Sequence, residues 1–465
     1  MTPVLISRTI RFATAASFAV GALLRCATAH AQMGRPDLQQ HGLRPVVHRA
    51  ADLDSLLALA LANSPHVAAA AHRLTAARAR IGPAGARPDP MLMAGVLDFP
   101  YQRAGYGDNF TMNMVRLTQT LPYPGKLTLA TQAAHDDESA ASATLDQARL
   151  DVVRDVKTAY YELAFVRRAR DIVQRNSTVL ASLVTISQAR YQVGTATQSD
   201  ALRARIEAAH LGDQEAALDA EERAALARLN ALLDRPSDTP VDSAAVPPRI
   251  AGLAVADSAE HVHFTSTALG AAPANSPMLG IDSLTALALS HSPMLRAHDA
   301  RIAGQERRLA LAEKAHLPDF DVSLEYDQRP HFSDYVSFFV SVPLRLQHGR
   351  KQDQEVDEAR AELDALHAEH VAQVNTIRGQ IASLAADAQR ERTQLALSLK
   401  AVLPEARAAL ASATASYDVG RIDFPALVDA QAMLFTEETA YARALTDFAT
   451  TIAQLESVAG AEVVE

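Results

Sequence analysis

The sequence predicts a mainly α-helical chain of two similar halves, each a long helical hairpin with two membrane-length β-strands placed before its longest helix. Three observations predict it. Apolar residues recur at heptad spacing over long proline-free spans. Short segments alternate apolar and polar side chains, the mark of strands with one apolar and one polar face. A set of landmarks in residues 53–234 also returns, in the same order, in residues 281–458. Composition agrees: among 465 residues 48% are hydrophobic but only 5% aromatic, which suits long helices better than a compact aromatic core. The net charge of −10 argues against a nucleic-acid partner, and one Cys makes neither an internal disulfide nor a thiolate zinc site.

At the N-terminus, Arg8 and Arg11 precede an apolar run from Phe12 to Leu24, and Ala29-His30-Ala31 supplies a small-x-small cleavage pattern. Residues 1–31 therefore read as a cleaved signal peptide; the run is too short to span a membrane. Arg25 stands where a lipobox takes a small residue, so Cys26 is expected to leave with the signal rather than carry lipid. Residues 32–52 read as an N-terminal extension. No later segment holds the roughly 20 consecutive apolar residues of a membrane helix, so membrane entry would require a closed β-barrel.

The duplication is read from paired landmarks. Leu53-Asp54-Ser55-Leu56 and Ala58-Leu59-Ala60-Leu61, ending at Ser64-Pro65, return as Ile281-Asp282-Ser283-Leu284 and Ala286-Leu287-Ala288-Leu289, ending at Ser292-Pro293. Pro88-Asp89 returns as Pro318-Asp319, and Gly125-Lys126 as Gly349-Arg350. Tyr191-Gln192-Val193-Gly194 returns as Tyr417-Asp418-Val419-Gly420. Each unit (53–234 and 281–458) is expected to run helix, strand, strand, very long helix, reversal, helix. A Pro-, Ala- and Ser-rich stretch, 235–280, reads as linker or irregular surface structure, and 459–465 as a tail.

The strands are expected at about 91–99, 110–121, 320–328 and 335–345. Phe320, Val322, Leu324 and Tyr326 alternate with Asp321, Ser323, Glu325 and Asp327, while the first pair of strands is blurrier. Tyr326, Phe332 and Tyr335 cluster near a hairpin tip, where rings favour a membrane interface. The first long helix is expected from Lys126 to Tyr191, roughly 100 Å at 1.5 Å per residue. Its stripe is Leu145, Val152, Val156, Ala159, Leu163, Val166, Val173, Leu180, Val184 and Tyr191. The second runs from Arg350 to Tyr417 with Leu384, Ala388, Leu395, Leu399 and Val402 on one stripe and an expected kink at Pro404. Gly194 and Gly420 suit left-handed helix ends, and Ser199 and Asp423 suit the caps of the returning helices. Four strands are too few for a membrane barrel, which normally needs at least eight. Either the sheet is soluble or several chains pool their strands.

Taken together, the signal peptide, the duplicated helix–strand–strand–helix unit and the paired Tyr-x-Val-Gly reversals resemble the TolC-like outer-membrane efflux channel family, across essentially all of Leu53 to Val458. The resemblance implies a homotrimer whose strands close a 12-strand barrel in outer-membrane lipid, above an α-helical periplasmic tunnel. It implies passive conduction without cofactor or catalysis. A periplasmic adaptor (a membrane fusion protein) and an inner-membrane pump of the resistance-nodulation-division type would be the partners. The adaptor-contact tips carry over to Val193, Gly194, Thr195, Val419, Gly420 and Arg421. The periplasmic gate carries over to Asp429, with Asp200 and Asp423 nearby; Ala426 stands where a second acid often occurs in the family, which departs from a double ring.

For cargo, heavy-metal cations are favoured. Met91 with Met93, and Met112 with Met114, put four thioethers on two neighbouring strands, each pair on one face, and thioether suits soft copper(I) or silver. Met also simply coats an apolar face. The flanks Pro88-Asp89-Pro90 and Pro122-Tyr123-Pro124-Gly125-Lys126 resemble the heavy-metal branch of the family. Asp321, Ser323, Glu325 and Asp327 would line the lumen and favour cations, cationic drugs included. His261 with His263, and His367 with His370, are weak metal pairs without a third ligand. The alternatives are the same channel serving multidrug efflux or type I secretion, and a soluble periplasmic coiled-coil scaffold or adaptor. An enzyme is not expected: there is no Gly-x-Ser-x-Gly, His-Glu-x-x-His or phosphate-loop motif.

Overall fold

The computed structural model describes residues 53–99, 110–194, 197–256, 280–330, 332–461 and 463. The expected signal peptide, the extension 32–52, Thr195 and the pair His261 and His263 lie outside the described residues.

The first half runs α1 (Leu53–Asn63), α2 (Pro65–Gly85), β1 (Met91–Leu97), β2 (Met112–Leu121), α3 (Lys126–Gln192) and α4 (Gln198–Leu232). A short α5 (Pro248–Ala256) follows. The second half runs α6 (Ile281–His291), α7 (Pro293–Glu313), β3 (Phe320–Gln328), β4 (Tyr335–Ser341), α8 (Gln352–Leu397), α9 (Leu403–Asp418) and α10 (Phe424–Ala459). Where one helix was expected before each strand pair there are two. Ser64 and Ser292 end the first and cap the second, with Pro65 and Pro293 in the opening turn.

Helix α3 has 67 residues and buries its predicted stripe from Leu145 to Leu180. Towards its end Val184 is half-buried and Tyr191 exposed. Its counterpart is not one helix. A 3-10 turn (His348–Arg350) precedes α8, and a π turn (Ser398–Val402) separates α8 from α9, with Pro404 in the first turn of α9. Proline lacks the N–H that would bond the preceding turn and its ring crowds that carbonyl, so the backbone widens there rather than continuing. The added residue shifts the helical phase. Ala388 and Leu395 stay buried while Leu399 turns outward.

The main core gathers Leu56, Tyr161, Leu163, Leu229, Leu284, Ile381, Leu395, Phe448 and Leu455 from both halves. The segment after α4 joins it, contrary to the expectation of a surface linker: Val241 and Ile250 are buried. The side-chain amide of Asn230 pins this segment by donating to Ser237 O and Thr239 O, 2.9 Å each. Inside the core Lys157 and Glu456 form an ion pair at 2.6 Å, joining α3 to α10. Burial, reinforced by Glu456, pushes the neighbouring Tyr161 hydroxyl well above its ordinary range. A smaller cluster of Leu180, Leu183, Ala204, Tyr417, Phe424 and Leu427 packs the far ends of the two hairpins.

The strands form one antiparallel sheet ordered β1-β2-β3-β4, so β1 and β4 are its edges. Three strands are shorter than expected, β2 opening at Met112 rather than at 110. β1 stops at Leu97 because Asp98 takes φ +48°, and Thr111 Oγ1 donates to its carbonyl at 3.0 Å. β4 stops at Ser341, two residues before Pro343, which offers no N–H to a ladder.

Candidate functional site

Residues paired directly across antiparallel strands share a face, so the register sorts the sheet into two surfaces. One carries Leu92, Val96, Val115, Leu117, Leu324, Tyr326, Val336, Phe338 and Val340, all exposed and apolar. The other carries the predicted lumen residues Asp321, Ser323, Glu325 and Asp327, opposite Thr120, Thr118, Arg116 and Met114. On this polar surface Thr120 Oγ1 donates to Asp321 Oδ1 at 2.6 Å, and Thr118 and Ser323 share a hydroxyl bond of 2.9 Å. Arg116 bonds Glu325 directly and its guanidinium lies 5.5 Å from the Phe339 ring centroid. The guanidinium offsets one of the three acids of β3, so the surface stays net acidic.

The same register decides where the methionines point. Met91 pairs with Thr118, Met93 with Arg116 and Met114 with Asp327, and Met112 lies two residues from Met114. All four therefore stand on the acidic surface and not on the apolar one. Met114 is buried, Met91 and Met93 exposed. The aromatic trio divides between the surfaces: Tyr326 lies on the apolar side, whereas Tyr335 pairs with Asp327 on the other. Arg329 sits over the rings of Phe332 and Tyr335 at 5.3 and 3.9 Å, and the Tyr326 hydroxyl donates to Asp334 at 2.5 Å.

Where sheet meets helix, Gly125 adopts φ +89°, a left-handed turn that glycine alone takes without strain. A Cβ there would stand 2.8 Å from Lys314 Nζ. The next residue, Lys126, reaches across to the second half: Nζ is 2.8 Å from Asp319 Oδ1 and from Leu317 O. The Tyr123 N–H donates to the same carboxylate at 2.7 Å. Burial alone would raise the Asp319 carboxyl, but Lys126 and this N–H outweigh it and hold it below its ordinary value. Gly349, the sequence counterpart of Gly125, is not left-handed.

At the opposite end Gly194 and Gly420 take φ +76° and +72°, as their place after a long helix predicted. Val193 and Val419 stand 73% and 68% exposed, apolar side chains presented at the tips, and Arg421 is exposed beside them. Arg190 ties the tips together. Its guanidinium donates to Tyr417 O and Asp418 O at 2.9 and 3.1 Å, occupying carbonyls at the open end of α9, and stacks 4.3 Å from the Tyr417 ring.

The three predicted gate acids occupy different settings. Asp200 forms a capping box with Thr197, which takes the capping place expected of Ser199 because its hydroxyl meets the Asp200 N–H at 3.2 Å. Asp423 caps α10 by accepting the Ala426 N–H at 3.3 Å. Asp429 is exposed on the arc of α10 that also shows Ala426 and Met433. Among the described residues no hydrogen bond or ion pair links the three. His370 meets Asp299 at 3.3 Å, and no group of three His, Cys, Asp or Glu suited to a metal occurs among the described residues.

Arg116, Lys126 with Asp319 as a pair, and Arg190 are the contacts that sequence reasoning missed. Only the repeated landmarks at Lys126 and Asp319 carried a trace of them. Among the described residues no helix is long and apolar enough to cross a membrane.

Long helical hairpins thus carry an antiparallel sheet with one apolar and one acidic surface. The profile of the family described as outer membrane efflux protein matches the chain twice, over residues 56–235 and 284–461. The chain belongs to the outer membrane efflux protein family, and its place is the outer membrane. Its fold is similar to the outer-membrane channel OprN (18% identity, 89% of this chain and 91% of that chain, TM-score 0.71). It is similar too to VceC from Vibrio cholerae (19%, 88% and 96%, 0.70) and to CusC (14%, 88% and 92%, 0.71). No curated protein matches it significantly in sequence.

Proposed function

We propose that this efflux channel is the passive exit duct of a tripartite system, with heavy-metal cations as its cargo. In this reading three copies close a 12-strand barrel over a helical tunnel. A periplasmic adaptor engages the tips at Val193, Gly194, Thr195, Val419, Gly420 and Arg421, and an inner-membrane pump of the resistance-nodulation-division type supplies the energy. The observation that carries the duct is the sheet itself. One surface is apolar enough for lipid, the other acidic enough for water and cations, and both edges are free to pair.

Asp429, exposed near the second tip, narrows the periplasmic mouth as a ring of three carboxylates, with Asp200 and Asp423 adding negative potential beside it. The metal cargo is supported by Met91, Met93, Met112 and Met114 sharing the acidic surface, where soft thioethers and carboxylates meet the same passing ion.

The experiment is growth of a deletion strain on copper, silver, zinc, cobalt and cadmium, beside dyes, detergents and antibiotics, with complementation by the intact gene. Hypersensitivity to metals alone, with metal retained in the cells, is expected. Sensitivity to organic compounds alone would overturn the metal cargo and leave the duct in place.

A further inference from the structure

At the edge of the smaller cluster, α3, α9 and α10 line a cavity of about 250 Å³. Its walls are mostly apolar: Val179 and Leu183 from the first half, Leu410, Leu427 and Leu434 from the second. Two side-chain amides line it as well, Asn176 of α3 and Gln431 of α10, and each is only 8% exposed. At the rim Glu438 meets Arg407 at 3.1 Å and Arg175 at 3.6 Å, so this carboxylate is already compensated from both halves.

The two amides have one consistent orientation. Asn176 Nδ2 donates to the backbone carbonyl of Ile172 at 3.0 Å, which leaves Asn176 Oδ1 as the acceptor facing Gln431. Gln431 therefore turns its Nε2 to Asn176, and its own oxygen is left over. Turning the Gln431 amide over would set two oxygens against each other. Turning both would set the Asn176 oxygen against the Ile172 carbonyl. The chain of donations thus ends on Gln431 Oε1, a buried acceptor without a hydrogen-bond partner among the described residues. Such a group is costly to leave unmet, and protein interiors normally supply it with a donor.

Size and chemistry together describe what fills the space. A dry cavity of ~150 Å³ lined by aliphatic and aromatic side chains takes up benzene, so the larger volume here suits two fused rings. A buried water makes about three hydrogen bonds, whereas these walls are chiefly leucine and valine, and the Thr414 hydroxyl is already donated to Leu410 O at 2.8 Å. With Glu438 held between two guanidiniums, the rim offers an ion no unmet charge of either sign. One acceptor in an apolar space asks for a neutral ring system with one donor.

We propose that this cavity is an effector site for a neutral bicyclic aromatic molecule bearing one N–H or O–H, which donates to Gln431 Oε1 while the rings lie against the leucines and Val179. The bound molecule touches α3 of the first hairpin and α9 and α10 of the second, so it fastens the two hairpins at their present spacing. The site draws on neither the acidic surface of the sheet nor the tips, and the inference holds whichever cargo the channel carries.

The chain contains no Trp, so indole, two fused rings with one N–H, can be followed by its own fluorescence on the full-length, detergent-purified protein. 1-Methylindole keeps the rings and lacks the donor, and micelles without protein give the partition background. Wild-type protein is expected to bind indole saturably, one per chain, about tenfold more tightly than 1-methylindole, the difference that meeting one buried acceptor makes. Asn176→Leu with Gln431→Met removes both amides and is expected to abolish that preference. Leu410→Phe fills the cavity and is expected to weaken both probes. Absence of saturable indole binding would mean that solvent alone occupies the cavity, and would overturn the site. Equal affinity of wild-type protein for the two probes would overturn it too, as would undiminished binding by a folded Leu410→Phe variant. The comparison of the two probes on wild-type protein decides the matter should either variant fail to fold.

Discussion

Removing Lys157 should be among the most damaging changes available outside the apolar core. Its ammonium lies 2.6 Å from Glu456, with the two side chains only 10% and 12% exposed. Replacing one member of a buried ion pair strands the other charge, at a cost of about 3–5 kcal/mol. The small residual exposure admits some water, and Arg249 lies close enough to influence Tyr161 beside the pair, so the lower end applies. Lys157→Met is therefore expected to lose about 3 kcal/mol in guanidinium unfolding of the detergent-purified protein, followed by helical circular dichroism. Lys157→Met with Glu456→Met, which removes both charges and keeps the volume apolar, is expected to return to within about 1 kcal/mol of wild type. The reasoning is refuted by a single variant that loses under about 1 kcal/mol, or by a double variant no more stable than the single one.

Gly420→Ala meets open space, so its cost is backbone strain alone; about 1–2 kcal/mol of stability should be lost, readable from the same unfolding curves. Burial would raise Glu222, yet the hydrogen bonds and charges of Arg167 and Arg170 leave it below its ordinary value of 4.5. Its contribution is therefore complete above pH 4.5 and fades as pH falls through the lower folded value, so Glu222→Gln should show a weaker loss of stability on acidification than wild type. Arg116→Ala uncovers Glu325 on the acidic surface; in planar bilayers the reversal potential under a salt gradient should move toward the cation limit, and an unchanged potential would count against that surface lining the pore.

The sequence alone was enough for features that repeat within a single segment or rest on one special residue. Heptad spacing from Leu145 to Leu180 marked the buried stripe of α3, because a helix repeats its faces within a few residues. Gly194 and Gly420 marked the tips, since no other residue enters the left-handed end so readily. Alternation from Phe320 to Asp327 marked a two-faced strand, because side chains change sides at every residue. Pro404 announced an irregularity, though not that it would be a π turn that moves Leu399 out of the core.

Tertiary structure alone decided what lies across from what. Which surface the four methionines share with Asp327, and that Arg116 meets Glu325, depend on a register between strands some two hundred residues apart. The burial of Val241 and Ile250 depends on a core assembled from both halves, which a Pro- and Ala-rich stretch read by itself does not reveal. The bond between Lys126 and Asp319 was present in the sequence only as two repeated landmarks. Periodicity is a property of one segment, whereas register and ion pairing belong to two, and they are set when the sheet and helices close upon each other.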